Sequence, residues 1–331
     1  MVTLSTAPPL DVIITAGDRH ASRPVFGESK AFLPIAGIPL FHYVLSAVEQ
    51  AQCTARIFVV GDKARLEHSL ATSPTPFRGT RPLVLLEQGH TLYDNVWNAF
   101  LHTLPDYTPG MDWRVYTETA TVDKAVLVLS GDMPLATPFE LDEFVDGCDL
   151  ARYDYCLGLS TESTLRAYYP QDGCPGIRMA YFIVRDRAVR QNNLHLVKPF
   201  RLGNRSYIQK MYDLRYQREW RNMAQLCLEL WQTRDASVRI VWAFLCLHIA
   251  RMLAKHGWQR SLLFRPLLLE LPMLASLLSQ LLRTRFTTVI THYGGCALDV
   301  DNADQYEAIR SNFDRWLAYQ LDLAKELKKH A

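Results

Sequence analysis

The chain lacks a surplus of charge of either sign. Its 331 residues carry 36 Lys and Arg against 34 Asp and Glu, a net charge of +2. That field is too small to hold a nucleic-acid backbone, and the basic tail Lys325–His330 is too short to change this. No CxxC spacing occurs. The seven cysteines (Cys53, Cys148, Cys156, Cys174, Cys227, Cys246, Cys296) are odd in number and scattered, which argues against a disulfide framework or a thiolate zinc site and for reduced thiols. No window reaches the ~18 uncharged apolar residues of a membrane span; the nearest, Ile240 to Leu253, is broken by His248 and Arg251. The opening MVTLSTAPPLD has neither a basic nor an apolar leader region, so the expectation is a soluble cytoplasmic protein. Internal repeats, low-complexity tracts, a Walker P-loop and a GxGxxG motif are also missing.

Apolar residues are plentiful, at 49% of the chain, enough to fill one large domain or two smaller ones. Short β-branched runs at Val12–Ile14, Arg56–Gly61, Pro82–Glu87 and Lys124–Ser130 read as buried strands. Between them, helical spacing covers Leu40–Ala51, Asp62–Leu70 and Thr91–Leu104, while Pro105–Val122 reads as an excursion. Thr137, Pro138 and Glu140 form a capping-box signature for the next helix. Short strands are expected at Tyr155–Leu159, Met179–Val184 and Thr287–Thr291, and a last helix over Ala303–Lys328, capped by Asn302 or Asp301. Strands alternating with helices predict a right-handed, doubly wound α/β sheet whose ligands sit at the carboxyl ends of the strands. Interrupting it, Tyr207–Trp231, Ser237–His256, Ser261–Leu271 and Met273–Arg283 read as an inserted helical block. The division expected is a core over 1–185, an inserted acceptor loop and helical subdomain over 186–285, and a return to the core over 286–331.

The chemistry concentrates at Asp11–Pro39, DVIITAGDRHASRPVFGESKAFLPIAGIP. A strand stops at Ala16-Gly17, a loop with Asp18, Arg19 and Arg23 follows, and then Lys30. Backbone N–H groups and fixed cations at a strand end suit a triphosphate. Asp132, in Gly131-Asp132-Met133-Pro134, is placed by its strand at the same edge, where one carboxylate beside a triphosphate can anchor Mg²⁺. Asp299 and Asp301 are two apart, on one face of an extended segment; either can add a second carboxylate or cap the terminal helix. Gln88-Gly89 closes the third strand at this edge too.

These residues carry a resemblance. TAG…SR…KAFLPIAGIPL resembles the signature of MobA-like nucleotidyltransferases of the GT-A fold, L-A-G-G-x-S-x-R-M-G-x-x-K; VLVLSGDMPL resembles their second motif; and ALDVDNADQY is similar to D-x-D-T-P-E-D. Asp18 stands where the second glycine is common, and the loop from Gly17 to Lys30 is longer than usual. The resemblance implies a Rossmann-like GT-A nucleotidyltransferase sheet. It makes Lys30 the catalytic lysine, Arg23 the loop arginine, Asp132 the metal-binding aspartate and Asp301 its partner ligand. The nucleotide would lie on Ala16, Gly17, Asp18, Arg19, Gln88, Gly89, Asn95 and Gly131; Gln88-Gly89 with Asp94-Asn95-Val96 resembles the cytidylyltransferase branch. The acceptor's phosphate is expected on Lys198, Arg201 and Arg205, since guanidinium forks match phosphate oxygens; Asn204 is a further candidate.

The expected activity is Mg²⁺-dependent transfer of a nucleotidyl group from an NTP, CTP first, to a sugar- or polyol-phosphate, releasing pyrophosphate. A same-fold glycosyltransferase would place D-x-D after the mid-chain strand, where only Asp132 stands. A nucleotide sensor would not need Lys30 and Asp132 together. The leucine-rich helices are expected to form a small core; a homodimer surface or membrane-surface contact are the other uses open to them.

Overall fold

The computed structural model describes residues 8–18, 24–75, 77–171, 173–205, 208, 238–255 and 267–330. In chain order these hold β1 (Leu10–Ala16), the hairpin β2 (Pro34–Ile35) and β3 (Ile38–Pro39), α1 (Leu40–Gln50), β4 (Thr54–Gly61), α2 (Lys63–Thr72), β5 (Leu83–Glu87), α3 (Leu92–Thr103) and β6 (Val126–Ser130). Then come α4 (Pro138–Asp146), β7 (Tyr155–Thr161), α5 (Glu162–Leu165), β8 (Phe182–Ile183), β9 (Ala188–Val197), α6 (Val238–Lys255), α7 (Leu271–Leu282), β10 (Phe286–Thr291) and α8 (Ala303–His330). The predicted helix Tyr207–Trp231, apart from Ile208, and most of Ser261–Leu271 lie outside the described residues.

The main sheet runs β10-β7-β9-β6-β1-β4-β5, with β8 on β9. The pairs β1–β4, β1–β6, β4–β5 and β7–β10 are parallel. β1 lies between two parallel neighbours, and Val12, Ile13 and Ile14 are all 0% exposed, which is why its sequence is apolar without alternation. The pleat still sorts them. Val12 and Ile14 face Phe41, Val44 and Val48 of α1 and Leu141 and Phe144 of α4, while Ile13 packs with Phe58, Val60 and Phe100 on the other side. Truncating Ile14 to Ala should therefore cost about 2–5 kcal/mol, read as a lower urea midpoint at unchanged slope.

One strand departs from the expectation. β9 runs antiparallel between β6 and β7, inside a segment expected to be an inserted acceptor loop, so the sheet is mixed and the core extends past residue 185. Its sequence, AVRQNNLHLV, hides it because amides occupy interior positions. Asn192 is 0% exposed; its Nδ2 donates to Thr291 Oγ1 at 2.9 Å. Asn193 takes φ 59°, where the pairing with β7 shifts register between Leu157 and Leu159, a bulge. Gly158 opposite is obligatory, because a Cβ there would lie 2.0 Å from Asn192 Oδ1.

The capping prediction for α4 holds by half. Thr137 Oγ1 accepts from Glu140 N at 3.3 Å, but the Glu140 carboxylate turns inward. It accepts from Thr291 Oγ1 at 2.9 Å, Gly294 N at 3.2 Å and Cys296 N at 2.9 Å, tying the α4 start to the loop that leads into ALDVD. Burial raises its pKa, against these donors. The complete capping box is on α3, between Thr91 and Asp94. Of the two candidates for α8, Asn302 is the cap, its Oδ1 accepting from Gln305 N at 2.9 Å; that leaves Asp299 and Asp301 for other work. α8 packs Ile309, Phe313 and Trp316 against Leu40, Leu135 and Tyr168.

On α6, Ala243 and Cys246 are buried against the α7 side, Ala250 is buried as well, and Trp242, Leu245, Ile249 and Met252 are exposed. Among the described residues no helix is long and apolar enough to cross a membrane.

Candidate active site

Because β1, β4, β5 and β6 are parallel, their carboxyl ends share one edge. Gly131 N donates to Thr15 O at 2.8 Å, closing the ends of β1 and β6 together; a Cβ on Gly131 would sit 3.1 Å from that same oxygen and 3.3 Å from Ala16 Cβ. Asp132 follows directly. Its backbone oxygen accepts from Val300 N at 3.2 Å, and this bond draws the ALDVD segment to the edge from more than 160 residues away.

Lys30 opens a short 3-10 turn, Lys30–Phe32, and is only 6% exposed. Its Nζ meets Asp301 Oδ1 at 3.0 Å. Asp132 is pushed up to about 6, first by burial and then by the negative charge of Asp299, with Lys30 and the Ser130 hydroxyl opposing and Asp301 adding. Three carboxylates thus act on one point. Asp299, 5% exposed, is in turn held by Arg190, whose Nη2 donates to its Oδ1 at 2.9 Å. No group of three or more His, Cys, Asp or Glu among the described residues could hold a metal ion by itself. A cation here would share one or two carboxylates with ligand oxygens, the coordination Mg²⁺ prefers. An all-oxygen donor set carrying excess negative charge fits that ion.

Beside this cluster the β1 and β5 ends form a polar cradle. Asp18 N donates to Gln88 Oε1 at 2.9 Å and Gln88 Nε2 returns a bond to Asp18 Oδ1 at 2.7 Å. Gly89 N donates to Asn95 Oδ1 at 2.6 Å. Gly17 lies against both amides: a Cβ would stand 2.9 Å from Asn95 Nδ2 and 3.1 Å from Gln88 Oε1. On the expectation that the cradle takes an NTP, Gly17→Ala should spread it and raise the NTP KM about tenfold at nearly unchanged kcat; the loss of one to two hydrogen bonds sets that size.

Ala16, Gly17, Asp18, Gln88, Gly89, Asn95, Gly131, Lys30, Asp132, Asp299 and Asp301 are thus gathered at one edge, within the described residues. Arg19 and Arg23 lie outside the described residues. Lys198 and Arg201 are not brought to this edge, while Arg205 lies against the first turns of α3, beside Tyr93 and Trp97. β9 is antiparallel, with Val197 opposite Val126 at the start of β6, so the chain leaves it at the amino ends of the parallel strands. There Lys198 Nζ donates to Leu150 O at 2.8 Å and faces Asp154 at 3.4 Å. Arg201 is paired with Asp123 at 2.9 Å. Arg205 stacks over Trp97 at 4.3 Å, and Asn204 Nδ2 donates to Leu281 O at 2.8 Å. All four are engaged in contacts within the chain.

Two residues at the edge carry no signal in the sequence. Arg65, at the third position of α2, pairs with Glu28 at 2.6 Å, approaches Asp18 at 3.9 Å and stacks over Phe32 at 4.0 Å, so it spans the two ends of the Asp18–Glu28 loop. Arg190 is the other; only the hidden strand β9 puts it beside Asp299.

A parallel-dominated α/β sheet with an amide-lined cradle, a buried lysine and clustered aspartates at its carboxyl edge is the architecture of a nucleotide-handling domain. Residues 12–161 match the family model of the MobA-like NTP transferase domain. Over 121 residues it is 30% identical to the 2-C-methyl-D-erythritol 4-phosphate cytidylyltransferase of Chlorobium luteolum. That match covers 36% of this chain and spans 45% of the relative's length. In fold, the chain is similar to a structure described as a hypothetical transferase from Thermus thermophilus, with TM-score 0.51 and 21% identity over 88% of this chain and 97% of that one.

Proposed function

We propose that the protein is a Mg²⁺-dependent nucleotidyltransferase that joins the nucleotidyl group of an NTP to the phosphate of a small acceptor and releases pyrophosphate. The observation that carries this reading is the contact of Lys30 with Asp301 at 3.0 Å beside the half-buried Asp132, at the mouth of the Gly17–Gln88–Asn95 cradle. CTP is the nucleotide and a sugar- or polyol-phosphate the acceptor in this reading; the cytidylyltransferase relative supports that choice.

The acceptor's phosphate oxygen attacks the α-phosphorus in line, and the bond to the oxygen bridging toward the β-phosphorus breaks, that oxygen leaving with the electron pair as pyrophosphate. The attacking oxygen is already anionic, so the reaction needs no general base. The chain's part is alignment and charge neutralisation. Lys30, fixed by its 3-10 turn and Asp301, meets the negative charge that builds on the α-phosphoryl oxygens. Gly17, Gly89 and Gly131 let backbone come close to the nucleotide, while Gln88 and Asn95 hold the polar edge of the base or ribose. Asp132 and Asp301 would hold Mg²⁺, which when bound offsets triphosphate charge.

The test is pyrophosphate release with Mg²⁺, each NTP crossed with a panel of sugar and polyol phosphates. One NTP–acceptor pair turning over, with loss in the Lys30 and Asp132 variants, supports the reading. Hydrolysis of a nucleotide-sugar in its place would identify a glycosyltransferase, and nucleotide binding with no turnover from any pair a sensor.

A further inference from the structure

Resting on that reading, we infer that the acceptor's anionic group binds at Arg190, Tyr181 and Tyr169, on the β7–β9 side of Asp132, and not at the basic segment that follows β9. Antiparallel β9 makes the difference. In register Arg190 lies opposite Ser160 and Val189 opposite Thr161, the last residues of β7, and β7 points the same way as β6. Arg190 is thus at the edge that carries Asp132, while Lys198 and Arg201, a few residues on, are at the other.

Arg190 is built as a fixed cation. Nη2 donates to Asp299 Oδ1 at 2.9 Å and Nε to Ala297 O at 3.3 Å. Its side chain is 21% exposed while that of Asp299 is 5% exposed, so the arginine is the member of the pair that solutes can reach. No partner for Nη1 occurs among the described residues. An arginine already held on two sides loses little conformational freedom when it takes a ligand with its remaining donors, which favours affinity. Beside it, Tyr169 Oη donates to Tyr181 Oη at 2.9 Å. Burial keeps the Tyr181 phenol protonated, and the positive charge of Arg190 reaches it. The guanidinium and the Tyr181 hydroxyl supply hydrogen-bond donors for a phosphate or a carboxylate, with Tyr169 giving its own proton to Tyr181 and so orienting that hydroxyl. Through Asp299, the acceptor's anion would also lie one ion pair away from the carboxylates around Asp132. A place for the second substrate next to the α-phosphate is then provided on this chain alone.

The experiment is isothermal titration of the full chain with glycerol 3-phosphate and, as the carboxylate arm, with glycerate, each with and without Mg²⁺ and the α,β-methylene analogue of CTP. Native protein, Arg190→Gln, Tyr181→Phe and Lys30→Ala are compared. The expected result is that Arg190→Gln weakens the anion at least tenfold and Tyr181→Phe about threefold, while both leave the nucleotide analogue within twofold; Lys30→Ala does the reverse. Tyr181→Phe removes one hydroxyl and keeps the ring, so it tests the site even where Arg190→Gln fails to fold. Whichever probe binds more tightly names the acceptor's anion. Absence of binding by either probe, anion affinity unchanged in Arg190→Gln and Tyr181→Phe, or parallel loss of anion and analogue in all three variants would overturn the inference. An Arg190-dependent anion site on a chain that releases no pyrophosphate with any NTP would keep the site and overturn the transferase reading.

Discussion

Replacing Lys30 with alanine is expected to lower kcat by about 10²–10³, with little change in the affinity for the acceptor; loss of one preorganised charge at a reacting centre has this size. The reason is positional. The ammonium is 6% exposed and held at 3.0 Å from Asp301, so it is in place before the substrate arrives and little reorganisation is left for the reaction step. Its removal also leaves Asp301 without this counter-charge beside Asp132, which adds repulsion among the carboxylates. Lys30→Arg should recover little, because a planar fork does not reproduce a compact point charge in a buried slot. Single-turnover measurement of nucleotidyl transfer separates these terms from substrate binding. A variant that keeps native single-turnover rates would remove Lys30 from the chemistry.

The second large effect has two opposite parts. Asp132→Asn should abolish Mg²⁺-supported turnover, yet make the metal-free protein more stable at neutral pH. The folded-state pKa is raised from 3.8 to about 6, so the protonated carboxyl is favoured by folding. Stability from this group is fully present below 3.8 and is lost as pH rises through 6, because above that pH a charged carboxylate sits in a buried, negative site. At pH 7.5 the cost is at most about 3 kcal/mol. Asparagine never acquires the charge. Urea unfolding in EDTA should then show native and variant alike near pH 4, and the variant more stable by about 1–3 kcal/mol at pH 7.5. Mg²⁺ with nucleotide should raise the Tm of the native chain and not of the variant, as expected when a ligand binds only the folded state. Equal stability of the two proteins across this pH range would mean that Asp132 is not under the strain assigned to it.

The sequence on its own determined the α/β framework and most of one sheet edge. Buried parallel strands have to be continuous apolar runs, so Val12–Ile14, Arg56–Gly61 and Lys124–Ser130 are visible without coordinates. Gly17, Gly131 and Asp132 follow those strands directly, and their position at the carboxyl edge comes from strand direction alone. Gln88 was legible for the same reason, standing just past β5; Lys30, further on, and Asn95 were legible through their motifs. Only the tertiary structure decided the rest. β9 was hidden because its interior positions include amides, which bond to His195, Thr291 and the Cys296 carbonyl, so its hydrophobic alternation is broken. Its antiparallel direction then reversed the fate of the basic segment, sending Lys198 and Arg201 into ion pairs at the far edge and bringing Arg190 to the near one. The roles of Asp299, Asp301 and Asn302, adjacent and chemically similar, were separated only by their partners: Arg190, Lys30 and the first turn of α8. Local pattern is written in the chain because burial repeats with the period of a strand or helix. Pairing between residues more than 100 positions apart, as for Arg190 with Asp299, has no such period, and it exists only once the sheet has closed.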